Sequence, residues 1–99
     1  MNGLAERRQC QTNAARLAAA YNYLALLQNN CGQFAQSEAS ARQALSLAKD
    51  AHLNDETCAM HKVVLANALR QLGKFDEALP LLESAVATLK NAESSNQAL

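Results

Sequence analysis

The sequence predicts an all-α fold in which two antiparallel helical hairpins stack on each other. Alanine and leucine, which lead the helix-propensity scale, supply much of the 49% hydrophobic content, whereas aromatic residues supply only 4%. Three glycines and one proline leave material for only a few turns. A stretch of the sequence also recurs at a fixed offset, which is typical of stacked repeat units.

The repeat is clearest at two glycine turns. The run Gly32-Gln33-Phe34 recurs as Gly73-Lys74-Phe75, at an offset of 41 residues. Further identical pairs at this offset are Ala18 with Ala59, Leu24 with Leu65, Ala25 with Ala66, and Ala44 with Ala85. We therefore divide the chain into an N-terminal helical extension or cap at 1–12, a first repeat at 13–53, a second repeat at 54–91 and a polar C-terminal tail at 92–99.

The first repeat reads as two helices joined by a short turn. Its apolar periodicity predicts one helix from about 13 to 30 and another from about 34 to 51, with the turn at 31–33. Residues 4–10 are also compatible with a helix. They either continue the first helix or form the end of a preceding one.

Helix boundaries are better marked in the second repeat. Asn54 or Asp55 is expected to cap the third helix, and Gly73 is expected to end it, because glycine is favoured just beyond a helix C-terminus. The fourth helix is expected to follow directly and to stop near Asn91, where polar residues begin. Pro80 lies about one turn inside that helix, so we expect a slight bend there without a break.

Charge and apolar runs argue against nucleic acid and membrane partners. The nine basic and nine acidic side chains give a formal net charge of zero, without the basic stripe that nucleic-acid binding requires. No apolar run approaches the roughly 18 residues that span a bilayer. The N-terminus lacks the apolar segment of a secretory signal, so we expect a cytoplasmic protein.

The three cysteines are widely spaced and odd in number, which fits reduced thiols better than a disulfide framework or a zinc site. Cys31 and Cys58 take positions that carry leucine in the other repeat, so both are expected to pack as small hydrophobic side chains. Cys10 lies outside the repeats and is the candidate for oxidative cross-linking. Cys58 and His61 are spaced like half of a metal site, but no second pair of ligands accompanies them.

No arrangement of side chains in the sequence suggests catalysis. There is no combination of serine, histidine and acid that points to a nucleophile, and no glycine loop that would hold a phosphate. The acidic residues lie mostly where helices begin, and the helix dipole explains them there. We therefore expect a protein that is not an enzyme and that needs no metal or other cofactor.

The repeated residues resemble the tetratricopeptide repeat. The second repeat supplies the family's pattern with Leu65-Ala66, Gly73, Phe75, Ala78 and Ala85. The first supplies it with Leu24-Ala25, Gly32, Phe34 and Ala44, and has Ser37 in place of the first spaced alanine. The offset of 41 and the run GKFDEALPLL at 73–82 are similar to the kinesin-light-chain subclass, whose helices are longer than those of the ordinary 34-residue repeat. The resemblance implies an α-solenoid that binds other proteins.

The resemblance also implies a binding site, because the first helices of successive repeats in this family line a concave groove. The corresponding positions here are Ala19, Asn22, Leu26 and Asn29 in the first repeat, and Met60, Val63, Asn67 and Arg70 in the second. Asn22 and Asn67 would hold the backbone of an extended peptide, and Arg70 would pair with a carboxylate. The alternative is that the polar members are merely solvated and that Met60 and Val63 belong to the core. Lys62, the nearest lysine, is expected to point elsewhere.

Two repeats are few for a stable stack, since about three are usually needed. The chain is therefore a fragment of a longer array, or residues 4–10 cap it, or its open ends pair between copies. The last helix carries four apolar residues that favour a partner, namely Leu81, Leu82, Val86 and Leu89. The alternative function is accordingly a self-assembly element that forms homo-oligomers through the ends of the stack.

Overall fold

The structure is a computed structural model that describes the backbone of residues 3–98 and the side chains of residues 13–92. It contains four helices, which are α1 (Gly3–Asn30), α2 (Phe34–Asp50), α3 (Asp55–Gln71) and α4 (Phe75–Ala98). No strand occurs within this part of the chain. The predicted all-α fold is confirmed, and residues 4–10 continue α1 rather than end a preceding helix.

Both glycine turns close the first helix of a hairpin in the same way. Gly32 and Gly73 have φ values of 81° and 80°, a conformation that glycine adopts easily because it has no Cβ. At the second turn, the Lys74 amide donates to the Leu69 carbonyl at 2.8 Å, and the Gly73 amide donates to the Arg70 carbonyl at 3.0 Å. This Schellman motif pairs carbonyls that the helix end would otherwise leave free. The prediction that Gly73 ends the third helix is confirmed.

The connection between the hairpins is fixed from both sides. Asn54 Oδ1 accepts a hydrogen bond from the Thr57 amide at 2.8 Å, so Asn54 rather than Asp55 caps α3. Asp55 and Glu56 then place negative charge at the positive end of the helix dipole. On the other side, His52 follows α2 with a φ of 55°, a left-handed conformation that disfavours residues with a Cβ.

α4 runs from Phe75 to Ala98 and continues through Pro80 without a break. Pro80 lies so close to the helix start that the hydrogen bond it cannot donate would reach only the first turn. The predicted stop near Asn91 is wrong, since α4 continues to Ala98. The residues after Asn91 include no glycine or proline, so nothing in their backbone chemistry ends the helix.

The core is built from all four helices, which pack in chain order, and α1 also contacts α3. Its buried cluster combines Ala25 of α1, Ala41 and Leu45 of α2, a group around Leu69 in α3, and Ala78 of α4. Leu69 is fully buried. Because alanine side chains are short, neighbouring helices approach closely at these points. The spaced alanines of the sequence are thus the sites of helix contact.

Two serines of α2 tie the first hairpin together. Ser37 is fully buried, and its Oγ donates to the Ala25 carbonyl of α1 at 2.7 Å. Ser40 Oγ donates to Gln28 Oε1, also at 2.7 Å. Serine is therefore compatible with a position where the second repeat has alanine, because a carbonyl of the neighbouring helix accepts its proton.

A network of charges joins the two hairpins. Glu38 of α2 accepts hydrogen bonds from Lys74 Nζ at 3.0 Å and from Arg42 Nε at 2.9 Å. Burial by itself raises the pKa of Glu38, but these hydrogen bonds and the two positive charges outweigh it and lower the pKa. A looser pair joins Arg42 Nη2 to Glu77 at 3.6 Å. The second glycine turn is thereby attached to α2.

Candidate functional site

The first helices of the two hairpins, α1 and α3, contact each other along one face of the stack. The second helices, α2 and α4, are joined in the described part of the chain by the ion pair of Arg42 with Glu77. Helical-repeat stacks bind their ligands on a concave surface, and we take the face that carries α1 and α3 as the candidate inner face. The groove positions predicted from the sequence all belong to these two helices.

Two asparagines on α1 have unpaired acceptors. Ala19, Asn22, Leu26 and Asn29 are spaced by three or four residues, so they share one face of the helix. The Oδ1 atoms of Asn22 and Asn29 are buried, and neither accepts a hydrogen bond within the described residues. An unpaired buried acceptor costs about 1–3 kcal/mol. Both amides would therefore gain from a donor supplied by a ligand.

On α3 the polar groove residues form a pair. Asn67 Oδ1 accepts a hydrogen bond from Arg70 Nη2 at 2.8 Å, which orients the exposed guanidinium. The guanidinium has further donors that a carboxylate can use. Lys62 Nζ instead donates to Ser84 Oγ of α4 at 2.9 Å. The expectation that Lys62 points away from the asparagines is confirmed.

The apolar groove positions are only partly covered. Met60 is 51% exposed and Leu26 is 36% exposed, while Val63 is half-buried. Met60 is thus no core residue. Shallow depressions lie at the two glycine turns, between α2 and α3, and beside Asn91, and none of them is lined by a groove residue.

The four apolar residues of α4 divide into two kinds. Leu81 and Leu82 are half-buried and pack against the core cluster of their own chain, so only part of each side chain is available to a partner. Val86 is 54% exposed and Leu89 is half-buried. Their role in an interface stays a prediction.

The two cysteines whose side chains are described, Cys31 and Cys58, differ in burial. Cys58 packs against the core cluster, and its thiol donates to the Leu53 carbonyl at 3.7 Å, as expected for a small hydrophobic side chain. Cys31 is exposed, so the same expectation is wrong for it. Its repeat partner Leu72 is half-buried, because Leu72 lies at the end of the helix that packs against the first hairpin. Cys10 lies outside the described side chains.

His61 is a buried histidine that the sequence did not single out beyond its spacing from Cys58. It is 5% exposed, and its Nδ1 makes no hydrogen bond to a described residue. Burial lowers the pKa of His61, because the imidazolium would lose its hydration. Among the residues whose side chains are described, no three or more His, Cys, Asp or Glu residues lie close enough together to hold a metal ion.

α1 also carries an apolar face that was not predicted from the sequence. Its members are Leu17, Ala20, Tyr23, Leu24, Leu27 and Cys31, and all of them are exposed. We call this set the α1 outer face. The signal was available, since these positions lie 41 residues before Cys58, His61, Val64, Leu65, Ala68 and Leu72. Those partners are buried or half-buried, because the first hairpin covers them.

Stacked hairpins with an open inner face and contacts between successive units define the class of helical-repeat proteins. The tetratricopeptide repeat family model matches residues 16–91, so the chain belongs to this family. Members of the family generally mediate protein–protein interactions. Searches of curated proteins and of solved structures returned no match. Within the described residues, no helix has the length and apolar character needed to cross a membrane.

Proposed function

We propose that the chain binds an extended segment of a partner protein on the inner face formed by α1 and α3. The observation that carries this proposal is the pair of buried, unpaired amide oxygens on Asn22 and Asn29. An extended peptide offers backbone N–H groups to such acceptors. A family whose members generally mediate protein interactions makes a protein partner the expected class of ligand.

The spacing of the two asparagines suits an extended ligand. Seven residues separate them, which is a rise of about 10 Å along α1, or about three residues of an extended chain. The two amides would therefore engage backbone groups on successive parts of the same peptide after small side-chain rotations. Because both contacts are made to backbone, they contribute affinity without selecting a sequence.

Selectivity would come from α3. Arg70, oriented by Asn67, favours a carboxylate on the ligand, while the exposed Met60 and Leu26 favour an apolar side chain beside it. We infer a ligand that combines an acidic and an apolar residue.

The offset of 41 residues also supports a place in the kinesin-light-chain-like subclass. A non-catalytic role fits the same features.

Selection from a random peptide library displayed on phage tests this proposal. We expect the recovered peptides to be enriched in acidic and apolar residues. Asn22→Ala and Asn29→Ala should each weaken binding about tenfold, because a lost hydrogen bond of about 1.4 kcal/mol changes affinity by that factor. Fluorescence anisotropy with a labelled peptide measures the loss.

Two variants serve as controls for the groove. Asn30→Ala changes a neighbouring asparagine that is exposed at the end of α1 and should leave affinity unchanged. Asn22→Val introduces the residue found at the equivalent position 63. It should keep or raise the stability of the protein while lowering its affinity for the peptide. If the peptides bind both alanine variants, Asn22→Ala and Asn29→Ala, as tightly as the unchanged protein, the groove is excluded as the binding site.

Self-association through the ends of the stack is a second candidate function. The observation that favours it is the exposure of Val86, since Leu45, its equivalent in α2, is only 7% exposed. The difference arises because α2 packs between α1 and α3, whereas α4 contacts only α3 among the described helices. An apolar residue in that setting favours a partner.

A further inference from the structure

We propose that the α1 outer face of one copy packs on α4 of another copy, head to tail, in the way that α3 packs on α2 within the chain. This inference rests on the second candidate function and is independent of the groove. The two surfaces that meet are the α1 outer face of one copy and the exposed side of α4 of the other, a pairing that the sequence alone does not specify. The occupant of the exposed side of α4 is therefore a second copy of this chain.

The repeat equivalence identifies the two surfaces as complements. Leu24 is 43% exposed on α1, whereas its equivalent Leu65 is 2% exposed where α3 meets the first hairpin. Leu27 is 62% exposed, and its equivalent Ala68 is fully buried. On the other surface, Val86 is the exposed equivalent of the buried Leu45. Each open end thus carries one half of an interface whose two halves already meet between α2 and α3.

The charges are compatible with this contact. No charged residue occurs between Arg16 and Glu38, so the described part of the α1 outer face is without charge. A helix face that is exposed, apolar and uncharged over this length is unusual on a monomer. The positions equivalent to Glu38 and Lys74 are Leu79 and Gln33, so head-to-tail packing places no like charges opposite each other there.

The helix lengths are compatible as well. Inside the chain, α2 ends at Asp50 and α3 begins at Asp55, because the connection between them occupies 51–54. At the repeat offset of 41, the end of α2 corresponds to residue 91 in α4, and the start of α3 corresponds to residue 14 in α1. However, α4 continues to Ala98 and α1 already begins at Gly3. These longer helices can be accommodated between two separate chains, because no loop has to join α4 of one copy to α1 of the other. Both helices extend from the same end of the stack and can run antiparallel beside each other.

This contact joins two different surfaces, so it is heterologous and does not close by itself. The complex should therefore grow with concentration instead of stopping at a dimer. Size-exclusion chromatography with light scattering under reducing conditions, over about a hundredfold range of concentration, measures this growth. The reductant excludes disulfides of Cys10 and Cys31 as the cause.

Two variants make the test specific. Leu24→Glu blocks the α1 outer face and Val86→Glu blocks the α4 side, and both residues are exposed, so both variants should fold. Each variant alone should be monomeric. An equimolar mixture should form a one-to-one dimer, because each variant retains the surface that the other has lost. Asn67→Ala in the groove should assemble like the unchanged protein.

Two other outcomes would overturn the inference, and they can be distinguished from each other. If Val86→Glu abolishes assembly and Leu24→Glu does not, the α4 surfaces pair with each other, and self-association stands without the head-to-tail arrangement. If the unchanged protein is monomeric at every concentration, both the arrangement and the second candidate function fail. Neither result affects peptide binding in the groove.

Discussion

At the scale of single residues, His61 couples the stability of the fold to pH. The side chain is buried in α3, and burial lowers its pKa from about 6.5 because the charged ring loses hydration. Above that value the ring is neutral in both the folded and the unfolded chain. As the pH falls below it, the unfolded chain takes up a proton that the folded chain resists, so the free energy of unfolding decreases.

We therefore predict that His61→Gln removes part of the acid sensitivity of the protein. Urea unfolding at several pH values between 7.5 and 5 should show the unchanged protein losing stability faster than the variant as the pH falls. His52→Gln, which changes the exposed histidine, is the matched control. A stability difference between protein and His61→Gln that is constant with pH would contradict this account.

At the scale of elements, the three described helix-to-helix turns share one hydrogen-bonding pattern. After α2, the amide of His52 donates to the Lys49 carbonyl and that of Leu53 donates to the Ala48 carbonyl, both at 3.0 Å. This is the Schellman pattern of the glycine turns, with histidine in the left-handed position. A Cβ added to Gly32 or Gly73 would meet no atom within 4 Å, so only backbone strain distinguishes the residues at these turns.

We predict opposite effects for two substitutions at these turns. His52→Gly should stabilise the protein by about 0.5–1 kcal/mol, since it relieves a left-handed conformation at a residue with a Cβ. Gly73→Ala should destabilise it by about 1–2 kcal/mol for the same reason. Chemical denaturation measures both. If both substitutions stabilise the protein, or both destabilise it, side-chain contacts rather than backbone strain determine their effects on the free energy of unfolding.

Helix ends also show what the sequence could and could not predict. The glycine turns and the cap of α3 depend on local chemistry that is visible in a few residues, so the turns were predicted and the cap was narrowed to Asn54 or Asp55. The end of α4 was missed because polar residues do not stop a helix unless the backbone is interrupted. Likewise, periodicity placed Leu81 and Leu82 on an apolar stripe but could not tell which side α3 would occupy.

At the scale of the whole molecule, burial depends on neighbours that sequence patterns do not identify. Leu24 and Leu65 are the same residue at equivalent positions, yet Leu24 is exposed and Leu65 is buried, because the first hairpin packs against α3. The repeat places the predicted groove residues on α1 and α3, the first helices of the two hairpins, and their role in binding stays a prediction. That the Oδ1 atoms of Asn22 and Asn29 accept no hydrogen bond from the described residues depends on side-chain geometry between helices, so no pattern in the sequence could reveal it.

The core cluster spans both hairpins, so the two should unfold together. It includes residues of all four helices around the fully buried Leu69. Tyr21 and Tyr23, the only tyrosines of the chain, both lie in α1, and there is no tryptophan. Tyrosine fluorescence therefore reports on the first hairpin, whereas far-UV circular dichroism reports on every helix. Coincident transitions by the two probes indicate a single cooperative unit.

We predict that Leu69→Ala, a change in the second hairpin, shifts both probes equally. The cavity should lower the free energy of unfolding by about 2–5 kcal/mol, and each kcal/mol lowers the Tm of a domain of this size by about 4–8 °C. Leu79→Ala, at a leucine that is 59% exposed on α4, is the control and should change stability by less than about 0.5 kcal/mol. If the tyrosine signal keeps its Tm in Leu69→Ala while the dichroism transition falls, the hairpins unfold independently. The contacts of α2 with α3 would then be too weak to couple them, and an interface of the same kind between copies would be weaker still.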